Sequence, residues 1–176
     1  WQQNLFRPGV SYQASERVKL TAGYAHIRTY QYGDSPAPRA YNEHRLWQQA
    51  IVMQRFGRVR WQNRFRQEQR WVQAAAAPEQ WRYGNRFRYF GKGVVPLKGR
   101  WFGAFYDEVF IKFPPNAGAR KFDQNRAYAA LGRRFGRSNS IEIGYLHQWI
   151  AQANNRVFEQ NHTLQIGIFS QAPLRR

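Results

Sequence analysis

The stretch RVRWQNRFRQEQRWV, residues 58–72, alternates between two kinds of side chain. Its even-numbered positions from 58 to 70 are charged or amide residues, while its odd-numbered positions carry tryptophan near both ends and phenylalanine between them. A period of two predicts a β-strand, because successive side chains leave opposite faces of the backbone. The sequence therefore predicts a strand with one charged face and one face that carries aromatic residues.

The two tryptophans of this strand, Trp61 and Trp71, have a spacing typical of a membrane-spanning β-strand. At roughly 3.3 Å per residue and a tilt of about 40°, they lie roughly 25 Å apart along a barrel axis, which matches the apolar band between two aromatic girdles. No apolar run in the sequence approaches the roughly 18 residues that a transmembrane helix needs. The predicted fold class is all-β, an antiparallel up-and-down transmembrane β-barrel of the bacterial outer membrane.

Strand-like patterns recur along the whole chain, and no convincing helical periodicity appears. Nine strands are predicted, at 4–13, 18–30, 43–56, 58–72, 81–91, 100–113, 123–135, 140–151 and 161–170. Residues 1–176 are predicted to form a single β-barrel domain.

The connections between these strands alternate between short and long. Short turns are predicted at 14–17, 57, 94–99 and 136–139, and longer loops at 31–42, 73–80, 114–122 and 152–160. Because outer-membrane barrels have short periplasmic turns, the last strand would leave the C-terminus in the periplasm and the first strand would start outside. Bacterial barrels have even strand numbers, so at least one further N-terminal strand is expected, in a complete barrel of ten or twelve.

Strand 81–91 repeats the alternation, with arginines at its even positions. Pairing it with strand 58–72 would place a ladder of guanidinium groups on the inner wall, which is also a possible path for anions. The predicted ladder consists of Arg58, Arg60, Arg64, Arg66, Arg70, Arg82, Arg86 and Arg88. Unpaired buried charges cost several kcal/mol, so carboxylates are expected beside or across from this ladder. The predicted counter-charges are Glu43, Glu68, Glu108 and Glu142.

The opposite face is predicted to meet lipid through a girdle of aromatic residues. Its predicted members are Trp61, Trp71, Trp81, Tyr89, Trp101, Tyr145 and Trp149. Asp107 shares the parity of this face within strand 100–113, and a carboxylate in the lipid band is costly. We therefore expect Asp107 either to lie near the outer rim or to follow a bulge that shifts the register.

A net charge of +18 with 17% aromatic residues is compatible with several anionic partners. Basic residues near the short turns are suited to lipopolysaccharide phosphates or to anionic phospholipid headgroups. Nucleic acid is the less favoured partner, because arginines that fill an interior explain the same charge. The chain has no cysteine and its four histidines lack metal-ligand spacing, so no metal, cofactor or catalytic residue is predicted.

Seven segments, in order along most of the chain, resemble a bacterial family, the domain-of-unknown-function family 2490. They are LFRPGVSY (5–12), NEHRLWQQ (42–49), QRFGRVRWQNRFRQEQRW (54–71), RYGNRFRY (82–89), YDEVF (106–110), FDQNRAYAALGRRF (122–135) and IEIGYLHQW (141–149). The resemblance implies an outer-membrane barrel that begins one or two strands earlier than this chain. It transfers no catalytic or ligand residues.

Three functional hypotheses remain open. The first is a non-enzymatic outer-membrane barrel with an arginine-rich, largely filled lumen, acting as a structural component or an accessory subunit with other envelope proteins. The second is a narrow anion-selective channel, in which Arg64, Arg66, Arg86 and Arg88 form a basic constriction. The third is a soluble basic β-protein that binds nucleic acid through exposed aromatic residues.

Overall fold

All regular secondary structure in the described part of the chain is β-strand. The computed structural model describes residues 2–31, 38–113, 121–136, 138–151 and 157–170. They form ten strands: β1 (Gln3–Phe6), β2 (Gly9–Gln13), β3 (Val18–Thr29), β4 (Tyr41–Phe56), β5 (Val59–Gln73), β6 (Trp81–Pro96), β7 (Trp101–Phe113), β8 (Phe122–Phe135), β9 (Asn139–Ala151) and β10 (Phe158–Ser170). Strands β3 to β10 follow one another in sequence order within one sheet, and β1 and β2 both pair with β3. The predicted all-β antiparallel class is confirmed.

The predicted first strand, 4–13, is divided in two by Arg7 and Pro8. Phe6 pairs with His26 and Gly9 pairs with Gly23, so both halves keep the same register against β3. Proline has no amide hydrogen to donate to the ladder, which accounts for the gap. The Pro8 carbonyl still accepts a hydrogen bond from the Tyr24 amide, at 3.1 Å.

Several predicted boundaries are also corrected by the structure. Strand 81–91 continues to Pro96, so the predicted turn at 94–99 narrows to 97–100, where Gly99 has a φ of 64°. Strand 161–170 begins at Phe158. The loops predicted at 31–42, 114–122 and 152–160, the turn at 136–139 and the residues after Ser170 lie wholly or partly outside the described residues. Within the described ranges, no helix is long and apolar enough to cross a membrane.

The two faces of the strands differ sharply in exposure. On β7, Phe102, Ala104 and Phe110 are buried, while Trp101 and Phe105 on the alternate parity are exposed. The same alternation places further large apolar side chains on the exposed face, including Leu20, Phe65, Leu131 and Ile143. We call these the buried face and the exposed face of the sheet.

The chain divides into two compact units, each with its own core. The first unit comprises Trp1–Ile51, Arg64–Arg88 and Phe110–Phe122, and the second comprises Val52–Asn63, Tyr89–Val109 and Asp123–Arg176. Buried apolar residues of the first unit are Ala25, Ile27, Trp47 and Phe110, and those of the second are Phe102, Ala104, Tyr128 and Ala151. The sheet has one edge at β1 and β2 and another at β10, and neither edge has a further partner strand among the described residues.

Close packing in the second unit depends on Gly144 of β9. A Cβ atom there would lie 2.5 Å from the Ala130 Cβ and 2.6 Å from the Ala129 carbonyl oxygen. Because a backbone atom is one of the obstacles, we expect Gly144→Ala to cost about 1–3 kcal/mol of unfolding free energy. Urea denaturation would measure this cost.

Gly103 of β7 provides the matched control for this substitution. A Cβ atom at Gly103 would meet nothing within 4 Å. Gly103→Ala should therefore leave stability unchanged or raise it by about 0.4–1 kcal/mol, through the reduced entropy of the unfolded chain. Equal effects of the two substitutions would contradict the packing described for Gly144.

Candidate functional site

The candidate site is a cluster of buried charges on the first unit. The even-numbered side chains of β5 point to the buried face, and this brings Arg66 and Glu68 beside each other in the protein interior. Glu68 is only 1% exposed, and Arg86 of β6 is buried with it. Charged side chains at this depth are stable only where they are paired and hydrogen-bonded.

Glu68 lies at the centre of three arginines. Its Oε2 accepts hydrogen bonds from Nε and Nη2 of Arg86, at 2.8 and 2.6 Å. Its Oε1 accepts a hydrogen bond from Nη1 of Arg88 at 2.9 Å, and Nη1 of Arg66 lies 3.8 Å from the same oxygen. One carboxylate therefore organises guanidinium groups from two strands.

Aromatic rings hold the same arginines from the other side. The Arg88 guanidinium lies 4.4 Å from the centroid of the Phe110 ring, and the Arg66 guanidinium lies 4.5 Å from the Trp47 ring. Arg66 also donates from Nε and Nη2 to Oε1 of Gln49, at 3.0 and 2.5 Å. Guanidinium groups stack well on aromatic faces, so these contacts help to orient the arginines.

A second carboxylate, Glu43 of β4, is shared by two arginines. Arg45 and Arg70 each donate Nε to Oε1 at 2.5 Å. Each also donates Nη2 to Oε2, at 3.0 and 3.1 Å respectively. Through these ion pairs, five guanidinium groups contact the two carboxylates Glu43 and Glu68.

The remaining ladder residues differ in burial and in the unit to which they belong. Arg64 is partly buried on the first unit, and Arg82 is exposed there. Arg58 and Arg60 belong to the second unit. Arg60 is exposed near the start of β5, and Arg58 Nη2 lies 3.5 Å from the Pro96 carbonyl oxygen.

The predicted counter-charges Glu108 and Glu142 also belong to the second unit, and both are buried. Glu142 lies 3.8 Å from Lys92 Nζ, an ion pair that involves no arginine. Glu43 and Glu68 of the first unit contact arginines of the ladder directly.

The predicted girdle residues take three positions along their strands. Trp61 and Trp101 lie near strand ends that adjoin short turns, whereas Trp71, Trp81 and Trp149 lie near ends that adjoin the longer connections. Tyr89 and Tyr145 lie near the middle of β6 and β9. At the longer connections, ring centroids lie close together for the pairs Trp71–Tyr83 (5.2 Å), Trp81–His44 (5.1 Å) and Trp149–Phe158 (4.9 Å).

Asp107 follows neither of the two expected arrangements. It lies in the middle of β7 on the exposed face, and the alternation of burial continues through it without a shift. The Nδ2 atom of Asn125 donates to both carboxylate oxygens, each at 3.0 Å. A neighbouring amide on the same face thus satisfies this carboxylate, so neither a bulge nor a rim position is needed.

Comparison with known proteins shows the family of this chain. The profile of the family described as "Protein of unknown function (DUF2490)" matches residues 1–159. The chain belongs to this family. It is also 28% identical over 174 residues to an uncharacterized protein of Methylorubrum extorquens, an alignment that covers 95% of this chain and 72% of that protein. No solved structure matches the chain.

Several contacts in this DUF2490 member were not predicted from its sequence. Trp47, Gln49 and Phe110 all contact the buried arginines, and none was assigned to the site. Their positions along the strands could have revealed them. Trp47 and Gln49 are odd-numbered like Glu43 on β4, and Phe110 is even-numbered like Glu108 on β7, so each lies on the same face as a predicted carboxylate. Among the described residues of this family member, no group of three or more His, Asp or Glu side chains could hold a metal ion.

Proposed function

We propose that this protein is a non-enzymatic outer-membrane β-barrel, with an arginine-rich interior that is largely packed, and that it acts as a structural component or accessory subunit of an envelope complex. The observation that carries the proposal is the inverted polarity of the sheet. Glu43, Glu68, Arg66 and Arg86 are on the buried face, while large apolar residues occupy the exposed face. A sheet in water buries its apolar face, whereas a membrane barrel presents that face to lipid.

Polar side chains on the exposed face also support this proposal. Asn63 accepts hydrogen bonds from Trp61 Nε1 at 3.0 Å and from the Tyr89 hydroxyl at 2.7 Å, and its Nδ2 donates to Gln54 at 2.8 Å. Gln48 and Gln69 bond each other, at 3.3 Å in both directions. Lipid offers no hydrogen-bonding partner, so polar groups that face it need partners within the protein.

Barrel closure would remove the two open sheet edges, at β1/β2 and at β10. Open edges are not tolerated in the hydrocarbon region, because their backbone groups would be unsatisfied. We propose a closed barrel of at least ten strands, with its short turns in the periplasm. Basic residues at those turns, such as Arg55 and Lys98, would contact anionic headgroups.

The test is whether the purified protein requires detergent and shows heat-modifiable mobility on a gel. We expect the unheated protein to migrate differently from the boiled protein and to retain a β-sheet circular dichroism signal in detergent. A protein that is soluble in plain buffer and migrates identically under both conditions would refute the barrel proposal. Solubility combined with salt-dependent nucleic-acid affinity would instead favour the basic nucleic-acid-binding alternative.

A second candidate, the narrow anion-selective channel, is favoured by the gathering of three arginines around Glu68 on the buried face. Conductance across planar bilayers separates it from the packed barrel. Bilayers that stay sealed over many insertions would support the packed interior. Discrete conductance steps with anion selectivity would support the channel, with Arg66, Arg86 and Arg88 as its constriction.

A further inference from the structure

Two histidines of the first unit, His26 on β3 and His44 on β4, come together across neighbouring strands. The centroids of their rings lie 5.2 Å apart. Tyr24 precedes His26 by two residues on β3, and its hydroxyl oxygen lies 2.5 Å from Nδ1 of His44. All three residues belong to the first unit, and we call them the Tyr24 cluster.

The second unit repeats this arrangement with the other two histidines of the chain. His147 on β9 lies directly opposite His162 on β10, and the centroids of their rings lie 5.1 Å apart. Tyr145 precedes His147 by two residues, as Tyr24 precedes His26, and its hydroxyl is hydrogen-bonded to Nδ1 of His162. We call these three residues the Tyr145 cluster. Histidines that lack metal-ligand spacing along the sequence are thus paired in the folded strands.

Both clusters lie on the exposed face, toward strand ends that adjoin the longer connections. The ring of Trp81, a predicted girdle residue, lies 5.1 Å from that of His44, and Trp149 follows His147 by two residues on β9. Aromatic girdles mark the interface between a membrane and water. A dissolved ion can therefore reach both clusters, whether the exposed face meets lipid or water.

Two imidazoles at this separation suit a single transition-metal ion. With a metal–nitrogen distance of roughly 2.1 Å, the centroids of two imidazoles on one ion lie about 5 Å apart at a tetrahedral angle. Imidazole nitrogen is a common ligand of Zn²⁺, Ni²⁺ and Cu²⁺. Because tyrosine contacts Nδ1 of His44 and of His162, Nε2 is the nitrogen of each ring that would bind the ion.

We infer that each cluster binds one divalent first-row transition-metal ion between its two histidines. In the bound state, Nδ1–H of His44 or His162 donates to the tyrosine oxygen, and this fixes the tautomer and the orientation of the ring. The tyrosines are positioning residues, since they act through the histidines. Among the described residues, no third His, Asp or Glu side chain completes either cluster, so water or a dissolved ligand would fill the other coordination positions.

Titration calorimetry with Zn²⁺ tests this inference on the protein in detergent, prepared without a polyhistidine tag. We expect the parent to bind two ions per chain, His44→Gln to bind one, and His44→Gln/His162→Gln to bind none. The control is Asp107→Asn, which removes a carboxylate from the exposed face but leaves both clusters intact, and it should still bind two. A parent that binds no Zn²⁺, or a double histidine variant that binds as many ions as the parent, would overturn the inference.

Two further readouts test the geometry of the clusters. Electron paramagnetic resonance of bound Cu²⁺ should show coupling to imidazole nitrogens in the parent, and this coupling should be lost in the double histidine variant. Tyr24→Phe/Tyr145→Phe keeps all four histidines and should weaken Zn²⁺ binding roughly tenfold, a typical effect of removing an outer-shell partner. Tyr12→Phe, at an exposed tyrosine of β2, should bind like the parent. Equal affinity of the double tyrosine variant and the parent would overturn the positioning role of the tyrosines.

The metal sites go beyond the barrel proposal and can fail separately from it. Each cluster lies within one unit, and Zn²⁺ binding is measured without reference to membrane insertion. A heat-modifiable, detergent-dependent protein that binds no Zn²⁺ would remove the metal sites and leave the barrel. A protein that is soluble in plain buffer and binds Zn²⁺ through these histidines would do the reverse.

Discussion

Glu68→Leu is expected to lower the free energy of unfolding by about 3–5 kcal/mol, because removing one member of a buried ion cluster leaves the others uncompensated. Arg86 and Arg88 would lose the hydrogen bonds that they donate to Glu68, and Arg66 would lose a nearby negative charge. Leucine is similar in size, so the loss would be mainly electrostatic. Urea titration of the refolded protein in detergent, followed by tryptophan fluorescence, would measure it.

Two controls separate charge from packing in this experiment. Glu159→Leu removes an exposed carboxylate on β10, and its effect should stay within about 0.5 kcal/mol. Replacing Glu68, Arg86 and Arg88 together by Leu, Met and Met should recover much of the loss, since whole buried ion clusters can often be exchanged for apolar residues. If Glu68→Leu alone were as stable as the parent, the described burial of the cluster would be incorrect.

Phe65→Arg is expected to impair membrane folding, at a cost of about 2–4 kcal/mol, the range for arginine at the bilayer midplane. Phe65 is 41% exposed and lies on β5 between Trp61 and Trp71, on the same parity. In water, a substitution at such an exposed position would change stability by only about 0.5 kcal/mol. Folding into phosphatidylcholine vesicles, read by unheated gel mobility and urea titration, would distinguish the two environments.

Gln62→Arg is the matched control, because it adds the same charge to the same strand on the opposite parity. It should fold like the parent. Trp61→Arg and Trp71→Arg should each lower the free energy of unfolding in vesicles by about 0–1 kcal/mol, less than Phe65→Arg, because positions near the membrane interfaces are more tolerant. If arginine substitution at residues 61, 62, 65 and 71 changed the free energy of unfolding equally and negligibly, the assignment of the exposed face to lipid would be contradicted.

The sheet itself was largely predictable from the sequence. Eight of the nine predicted strands match single strands of the structure, with boundaries that shift by up to five residues, and the ninth is divided at Pro8. The turns at Gly57 and Gly99 have positive φ values of 56° and 64°, which glycine adopts without strain. These features depend on neighbouring residues along the chain, and such local preferences can be recognised in the sequence.

The candidate site was predictable only in part. Parity assigned Arg66, Glu68, Arg86 and Arg88 to a single face, and the structure places these four together. Parity could not show that Glu142 would lie next to Lys92, since that contact joins β6 to β9. Nor could it show that Asn125 of β8 would satisfy Asp107 of β7.

Which residues share a face follows from the order of residues alone, because side-chain direction alternates with a fixed period along any extended strand. The carboxylate that Arg66, Arg86 and Arg88 share, and the stacking of Trp47 and Phe110 on guanidinium groups, became clear only from the packed strands. Charge pairing and stacking depend on distances of a few ångströms between strands, and these distances are set by register and packing across the sheet.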